Sequence, residues 1–441
     1  MSDQAILRIT REIKQIQQGA DLSLAVHYED SDIRNVRAVI LGPPDSPYQF
    51  GFFEFLVKFG KDYPGCPPTV RGLTTNGGRT RFNPNIYSSG RVCLSILGTW
   101  RGERGEQWSS AQCLESILIS IQSLMSSNPY ENEPGYDEAK SPTDKQNMDA
   151  YVAKIRHETL RVAVIEPLEV SLNILPDADV DFLTSRASDS DDQIVYDDDK
   201  PCYDPFSDFR KTRFLWYFES YMQSIDAAVM ESPPQTKFKR MPFESGNNAM
   251  DGVFDYPELK RRIIAVKEKI MDETHHWAVE GLVAKEQEWG IAASLQRQYE
   301  QIVESLNHQS NITVDLILVD ENPFVWKLTY FGRPMTHLDG GMFTIMIYLS
   351  PRFPEEQPRV FMDTNFFHVR VSKEGVLCYV PKRTEEMRYH IEGIVATLEE
   401  EHPPYDPRTT VNPEATRLFW GTPSDRKKYN RELRRSVERT V

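Results

Sequence analysis

Five cysteines stand at positions 66, 93, 113, 202 and 378. Their odd number and irregular spacing make neither a disulfide framework nor a zinc pattern, since no C-x-x-C pair or cysteine–histidine spacing is present. No secretory leader and no apolar run near 18 residues is seen, so the sequence is expected in a reducing compartment, cytoplasmic and/or nuclear. There, a cysteine inside a well-specified segment is a candidate nucleophile, whereas an isolated one is more often a small buried hydrophobe. One segment qualifies. Residues 82–97 read FNPNIYSSGRVCLSIL: an Asn-Pro-Asn turn, an extended stretch and a Ser-Gly turn lead to Cys93, flanked by Val92 and Leu94.

The elements around it are legible. Ile6, Ile9, Ile13 and Ile16 fall at helical spacing, with Arg8, Arg11 and Lys14 towards the other side. Residues 36–41 (VRAVIL) read as a strand, and 52–59 as another with Phe53, Phe55, Val57 and Phe59 on one face. The prolines of 61–69 (KDYPGCPPT) exclude a central strand. A helix is expected over 111–126, with Leu114, Ile117, Leu118, Ile121 and Met125 on one stripe. Residues 210–230 and 256–308 also read as helical.

The block resembles the active-site segment of the ubiquitin-conjugating (UBC) family. The family's His-Pro-Asn tripeptide falls on Asn83, Pro84 and Asn85, and its nucleophile on Cys93. GPPDSPYQFGFFEF, the YPGCPP loop, the Trp108-Ser109-Ser110-Ala111 loop and SNPYENEPGY correspond as well. Asn in place of His at 83, the lengthened GTWRGERGEQW at 98–108 and IRHETLRVAV at 155–164 are similar to the large Z-type conjugating enzymes, over about residues 5–270 including FDY at 254–256. They are similar also to the conjugating domain of giant inhibitor-of-apoptosis proteins.

The resemblance implies an acyltransferase that carries ubiquitin or a ubiquitin-like protein as a thioester on Cys93, with no cofactor and no metal. Asn85 would stabilise the oxyanion or hold the turn, and both readings stand. The family's acidic position falls on Glu133, with Glu131 as competitor, to orient or deprotonate the attacking lysine. The activating-enzyme face would carry Arg8 and Arg11. The ligase face would carry Gly65, Cys66, Trp108 and Ser110, with Trp108 equally readable as core. Gly65 stands where the family has an aromatic anchor, which argues against ordinary RING ligases. Implied partners are ubiquitin or a relative, its activating enzyme, a ligase and protein substrates. Nucleic acid is excluded by the net charge of -15, and a membrane by the lack of an apolar span.

A repeat follows from spacing. Gly42 to Pro64 is 22 positions, as is Gly332 to Pro354; Asn83 to Cys93 is ten, as is His368 to Cys378. The second copy keeps His368 and Cys378, but Val369 and Arg370 replace Pro and Asn, and Asp406 takes the acidic position. A neighbouring arginine is expected to lower the thiol's pKa. This copy reads as a recognition or assembly domain, with a second thioester site at Cys378 as the alternative.

The fold class is therefore α+β: two UBC-like domains, each an N-terminal helix, a four-stranded antiparallel meander, an active-site loop and C-terminal helices, joined by a largely helical segment. The boundaries are a catalytic domain at 1–170, a helical extension at 171–290 and a second, non-catalytic domain at 291–425. A basic tail at 426–441 is read as a solvated helix. Residues 177–200, with nine acidic residues against two basic ones, are expected to be disordered and dispensable for charging. Two rivals are a non-catalytic UBC-like scaffold, against which Cys93 and Asn85 speak, and a cysteine protease. The protease would need His27 or His157 as base, and neither lies in a protease signature.

Overall fold

The computed structural model describes residues 2–19, 21–102, 105–138, 141–174, 204–246, 249–308 and 313–440. The acidic stretch 177–200 lies outside these. The chain divides into two compact units, Met1–Arg210 with Ile225–Val266, and Lys211–Ser224 with Lys267–Val441. Among the described residues, no helix is long and apolar enough to cross a membrane.

In the first unit, helix α1 (Ser2–Gln18) packs on a meander of β1 (Leu24–Glu29), β2 (Asp32–Leu41), β3 (Phe52–Lys58) and β4 (Thr69–Gly72), paired antiparallel in that order. Helices α2 (Leu114–Ser123), α3 (Pro142–Glu158) and α4 (Glu166–Ser171) follow, the last two joined by a π-helical turn at Thr159–Ile165. The inward stripe of α1 is Ala5, Ile9, Ile13 and Ile16, while Ile6 is exposed. Ile9, Ile13 and Ile16 thus lie as expected, and only the first position differs, because Ala5 shares the face of Ile9 at i, i+4 whereas Ile6 lies a further 100° round. Helix α2 starts at Leu114, three residues later than expected, because Cys113 and Ser116 form a capping box there.

Phe53, Phe55 and Val57 enter the core as the alternation requires. The opposite face of β3 is buried too. Phe52 meets Phe209 edge to face at 6.2 Å, and Glu54 accepts from Arg37 at 2.6 Å and from Arg210 at 2.6 Å.

The segment expected as a linker instead completes this core. Met241 and Met250 join it, and Phe243 packs on Tyr130, Tyr136 and Tyr151. The fully buried Lys154 of α3 meets Glu244 at 2.5 Å. His157 sits among Phe238, Phe254 and Tyr256, where its Nε2 accepts from the Asp255 N–H at 3.1 Å. That bond leaves Nδ1 as the proton carrier, facing Glu158 at 3.2 Å. Both ring nitrogens of His157 are thereby engaged within the core, so this histidine is not available as a protease base. Composition alone could not reveal this, since the segment's apolar residues follow no regular period.

The remaining helices are α5 (Ser207–Glu231), α6 (Tyr256–Glu286) and α7 (Gly290–Asn307). The stretch 256–308 is helical as expected, in two helices that part at Glu288, whose φ of 57° is left-handed and ends an α-helix. The second unit repeats the meander as β5 (Val314–Leu318), β6 (Val325–Phe331), β7 (Met342–Tyr348) and β8 (Arg359–Met362), followed by α8 (Met387–Glu399), α9 (Pro413–Phe419) and α10 (Pro423–Glu438). The basic residues 426–439 are not a solvated tail. Tyr429, Leu433 and Val437 of α10 belong to the second core, at i, i+4, i+8, while Lys427, Lys428, Arg431, Arg434 and Arg435 are exposed.

Candidate active site

The Cys93 loop is fixed by bonds to its own turn. The Cys93 N–H donates to the Asn85 carbonyl at 2.8 Å, and Asn85 Nδ2 donates to the Cys93 carbonyl at 3.1 Å. Thr99 clamps the residues on either side: its Oγ1 accepts from the Leu94 N–H at 3.0 Å and donates to the Val92 carbonyl at 2.7 Å. The thiol is only 4% exposed, yet it lines an open groove of 420 Å³ with Tyr87, Arg91, Gly98, Thr99, Trp100 and Arg101. Asn85 and Cys93 are therefore brought together, and in this resting state the carboxamide holds the turn. Thr99 escaped the sequence reading because its role is a backbone clamp, for which threonine carries no signature.

Asn83 is fully buried and uses every polar atom. Its Nδ2 donates to Tyr48 Oη at 3.1 Å and to the Leu124 carbonyl at 2.8 Å. Its Oδ1 accepts from the Asn85 N–H at 2.9 Å and from Asn132 Nδ2 at 3.3 Å. The residue thus ties the active-site turn to the end of α2 and to the segment carrying Glu133. Asn83→Ala is expected to cost about 3 kcal/mol, because it leaves buried donors unpaired. Urea unfolding tests this, and a loss under ~0.5 kcal/mol would remove Asn83 from the framework. Asn83→His should recover at least half of the loss, since His368 Nδ1 accepts the Arg370 N–H at 3.2 Å at the matching position of the second copy.

Glu133 is half-buried and paired. Arg81 Nη2 donates to its Oε2 at 3.1 Å and to the Pro84 carbonyl at 2.5 Å, while the guanidinium lies 4.5 Å from the Tyr87 ring. Glu133 is thereby tied to the Asn-Pro-Asn turn, whereas Glu131 is exposed. Arg81 was missed, because one buried arginine beside a motif looks like any surface arginine in sequence.

The two faces expected to bind the activating enzyme and the ligase share one buried carboxylate. Glu12, 5% exposed, accepts from Arg8 Nε at 2.7 Å, from the Tyr63 hydroxyl at 2.6 Å and from the Leu114 N–H at 2.9 Å. Arg8 also donates to the Gln112 carbonyl at 2.8 Å. It is therefore half committed to the framework, whereas Arg11 is exposed. Gly65, Cys66 and Ser110 are exposed. Trp108 is half-buried: its Nε1 donates to the Pro64 carbonyl at 2.8 Å and its ring lies 5.9 Å from Tyr63. It joins the two loops rather than standing free.

The second copy keeps the backbone of the site. The Cys378 N–H donates to the Arg370 carbonyl at 2.9 Å, and the glycines before both cysteines, Gly90 and Gly375, have φ of 84° and 86°. The two glycines also approach matching strands, receiving the Gly72 and Met362 N–H groups on their carbonyls at 2.7 Å each. The chemistry differs. Cys378 is fully buried, and burial pushes its thiol up to about 11 despite the counter-effect of Arg370 and Arg213. The expected arginine effect is present but outweighed by desolvation. Burial holds His368 down to about 3. Asp406 is paired with Arg408 at 3.0 Å, and Val411 N–H donates to the Val369 carbonyl at 3.0 Å, which pins the loop.

Comparison with known proteins places this arrangement. The family model described as "Ubiquitin-conjugating enzyme" matches residues 8–159 and again 294–434. Ubiquitin-conjugating enzyme E2 Z of Homo sapiens is 36% identical over 279 residues, which cover 62% of this chain and 66% of that protein. Its Xenopus tropicalis counterpart is 49% identical over 168 residues, 38% of this chain and 52% of that protein. The chain thus spans less than two thirds of the length of these relatives. The human dual E2 ubiquitin-conjugating enzyme/E3 ubiquitin-protein ligase BIRC6 is 41% identical over 149 residues, 33% of this chain and 3% of that protein. A Toxoplasma gondii ubiquitin conjugating enzyme E2 domain of solved structure is 28% identical, covering 36% of this chain and 97% of that one, with a TM-score of 0.28. With the family model matched twice and a four-stranded antiparallel meander in each unit, the chain belongs to the ubiquitin-conjugating enzyme family.

Proposed function

We propose that the chain accepts ubiquitin, or a ubiquitin-like protein, from an activating enzyme as a thioester on Cys93 and passes it to a lysine or to a ligase. The observation that carries this reading is the thiol in an open groove, braced on both sides by bonds to Asn85. In the first step, the Cys93 thiol gives up its proton and Sγ attacks the carbonyl carbon of the incoming thioester. The activating enzyme's thiolate leaves. In the second, a neutral amine attacks the Cys93 thioester, loses a proton as the isopeptide bond forms, and releases the Cys93 thiolate. Thioester exchange is nearly isoenergetic, so positioning and oxyanion stabilisation are what the protein must supply.

Glu133, held by Arg81, is suited to orienting the amine. Cytosol or nucleus is the proposed location, because the described cysteines, Cys66, Cys93, Cys113 and Cys378, are all free. The test is incubation with ATP, ubiquitin and an activating enzyme. An adduct that reducing agent removes supports the reading. Its absence across several modifiers and activating enzymes would leave a scaffold.

Asn85 Nδ2 carries two N–H donors, and the bond to the Cys93 carbonyl uses one of them, which leaves the other for the oxyanion. Asn85→Ala is expected to leave charging largely intact and to slow discharge to lysine by ~10²-fold. If transfer slows only in step with a fallen melting temperature, the residue merely holds the turn.

A further inference from the structure

The groove beside Cys93 carries more positive charge than the transfer reaction requires. Arg91 and Arg101 line it from opposite ends of the active-site segment, together with Tyr87 and Trp100. Both arginines are exposed, and the Trp100 side chain is 49% exposed. Among the described residues neither guanidinium has an ion-pair partner. Of the neighbouring acidic groups, Glu133 is engaged with Arg81. We propose that this groove selects acceptor lysines accompanied by an acidic residue, with Arg91 and Arg101 receiving the carboxylate and Trp100 covering the lysine stem. The proposal rests on Cys93 carrying the thioester.

Charge and shape both point this way. An unaccompanied lysine ammonium is repelled by two guanidinium groups, whereas an aspartate or glutamate beside it reverses the sign of the encounter. The same positive field favours the neutral amine, which is the attacking form. Planar guanidinium groups take carboxylates in a defined geometry, and an exposed indole suits an alkyl stem that ends in an amine. Exposed ion pairs contribute at most about fivefold each, so two give a preference of about tenfold at low salt.

The experiment charges the full chain with ubiquitin, confirms the thioester, and then measures single-turnover discharge to three acceptors. These are free lysine, a peptide with aspartate beside its single lysine, and the same peptide with asparagine there. The expected ratio of acidic to neutral peptide rates is about ten, falling towards one at 0.5 M salt. In the Arg91→Gln/Arg101→Gln double variant, and more so with glutamate at both positions, the ratio should fall to one or below. A wild-type ratio near one at low salt overturns the proposal, as does a ratio that survives both double variants. Slowed charging of the double variant with an unchanged peptide ratio would assign the arginines to the incoming modifier and overturn it likewise. Failure of the wild type to charge at all strikes the thioester reading itself, and that step is measured first.

Discussion

Cys93→Ser is expected to form no reductant-sensitive ubiquitin adduct, with charging slowed on the order of 10³-fold or more. The hydroxyl that replaces the thiol is far less acidic, and among the described residues that line the groove there is no carboxylate or imidazole to deprotonate it. Any product is an oxygen ester, slower to form and resistant to thiols. The fold should survive, because both bonds that brace position 93 run through its backbone. The melting temperature is therefore expected within the range of a ~1 kcal/mol change. Non-reducing and reducing gels beside a thermal melt read both outcomes. Undiminished thioester on this variant would move the nucleophile elsewhere.

The second large effect concerns Cys378. In the native protein at pH 8, iodoacetamide should label it at least ~10²-fold more slowly than in urea. Burial lifts its thiol to about 11, so only about one molecule in 10³ is thiolate at pH 8, against about a quarter for a free cysteine. Its complete burial reduces access further. The direction in pH follows. A thiol whose pKa is raised in the folded state lends stability that is present below about pH 8.5 and is lost as pH climbs towards 11. Labelling should therefore rise steeply across that window, by thiolate formation and by loosening together. For the same reasons Cys93→Ala should carry no ubiquitin on Cys378 where the wild type is fully charged, leaving the second copy to recognition or assembly. Peptide mapping locates the label. Native labelling within threefold of the denatured rate would overturn the burial argument, and a Cys378 thioester that discharges to lysine would make this a tandem enzyme.

Much of the site was legible because its signals are local. The Asn-Pro-Asn turn, the glycine before each cysteine and the alternation of Phe53, Phe55 and Val57 are set by neighbours in the chain. The duplication was legible too, because loop-length changes leave the spacing within blocks intact. What escaped depends on residues far apart in sequence. Glu12 reads as one more polar residue of an amphipathic helix, until Tyr63 and Leu114 arrive from 51 and 102 positions away. Met241, Phe243 and Met250 look like linker residues because no period marks them, yet they pack in or against the first core. Tyr429, Leu433 and Val437 were hidden by the basic residues between them, since charge dominated the composition of α10.

The threading of the chain between its two units bears on how the protein is made. Residues 225–266 return to the first unit, whereas 211–224 belong to the second. A nascent chain emerging from the ribosome can therefore finish its first unit while 211–224 still await partners not yet synthesised. Tyr217, which donates to the Arg408 carbonyl at 2.9 Å, must wait for nearly two hundred further residues. Trp277, under the Arg359 guanidinium at 5.2 Å, waits for about eighty. Both are almost fully buried at the end, so until then they present aromatic surface of the kind chaperones bind. No single cleavage releases the two units cleanly, and a chain stopped near residue 290 would keep that surface permanently bare.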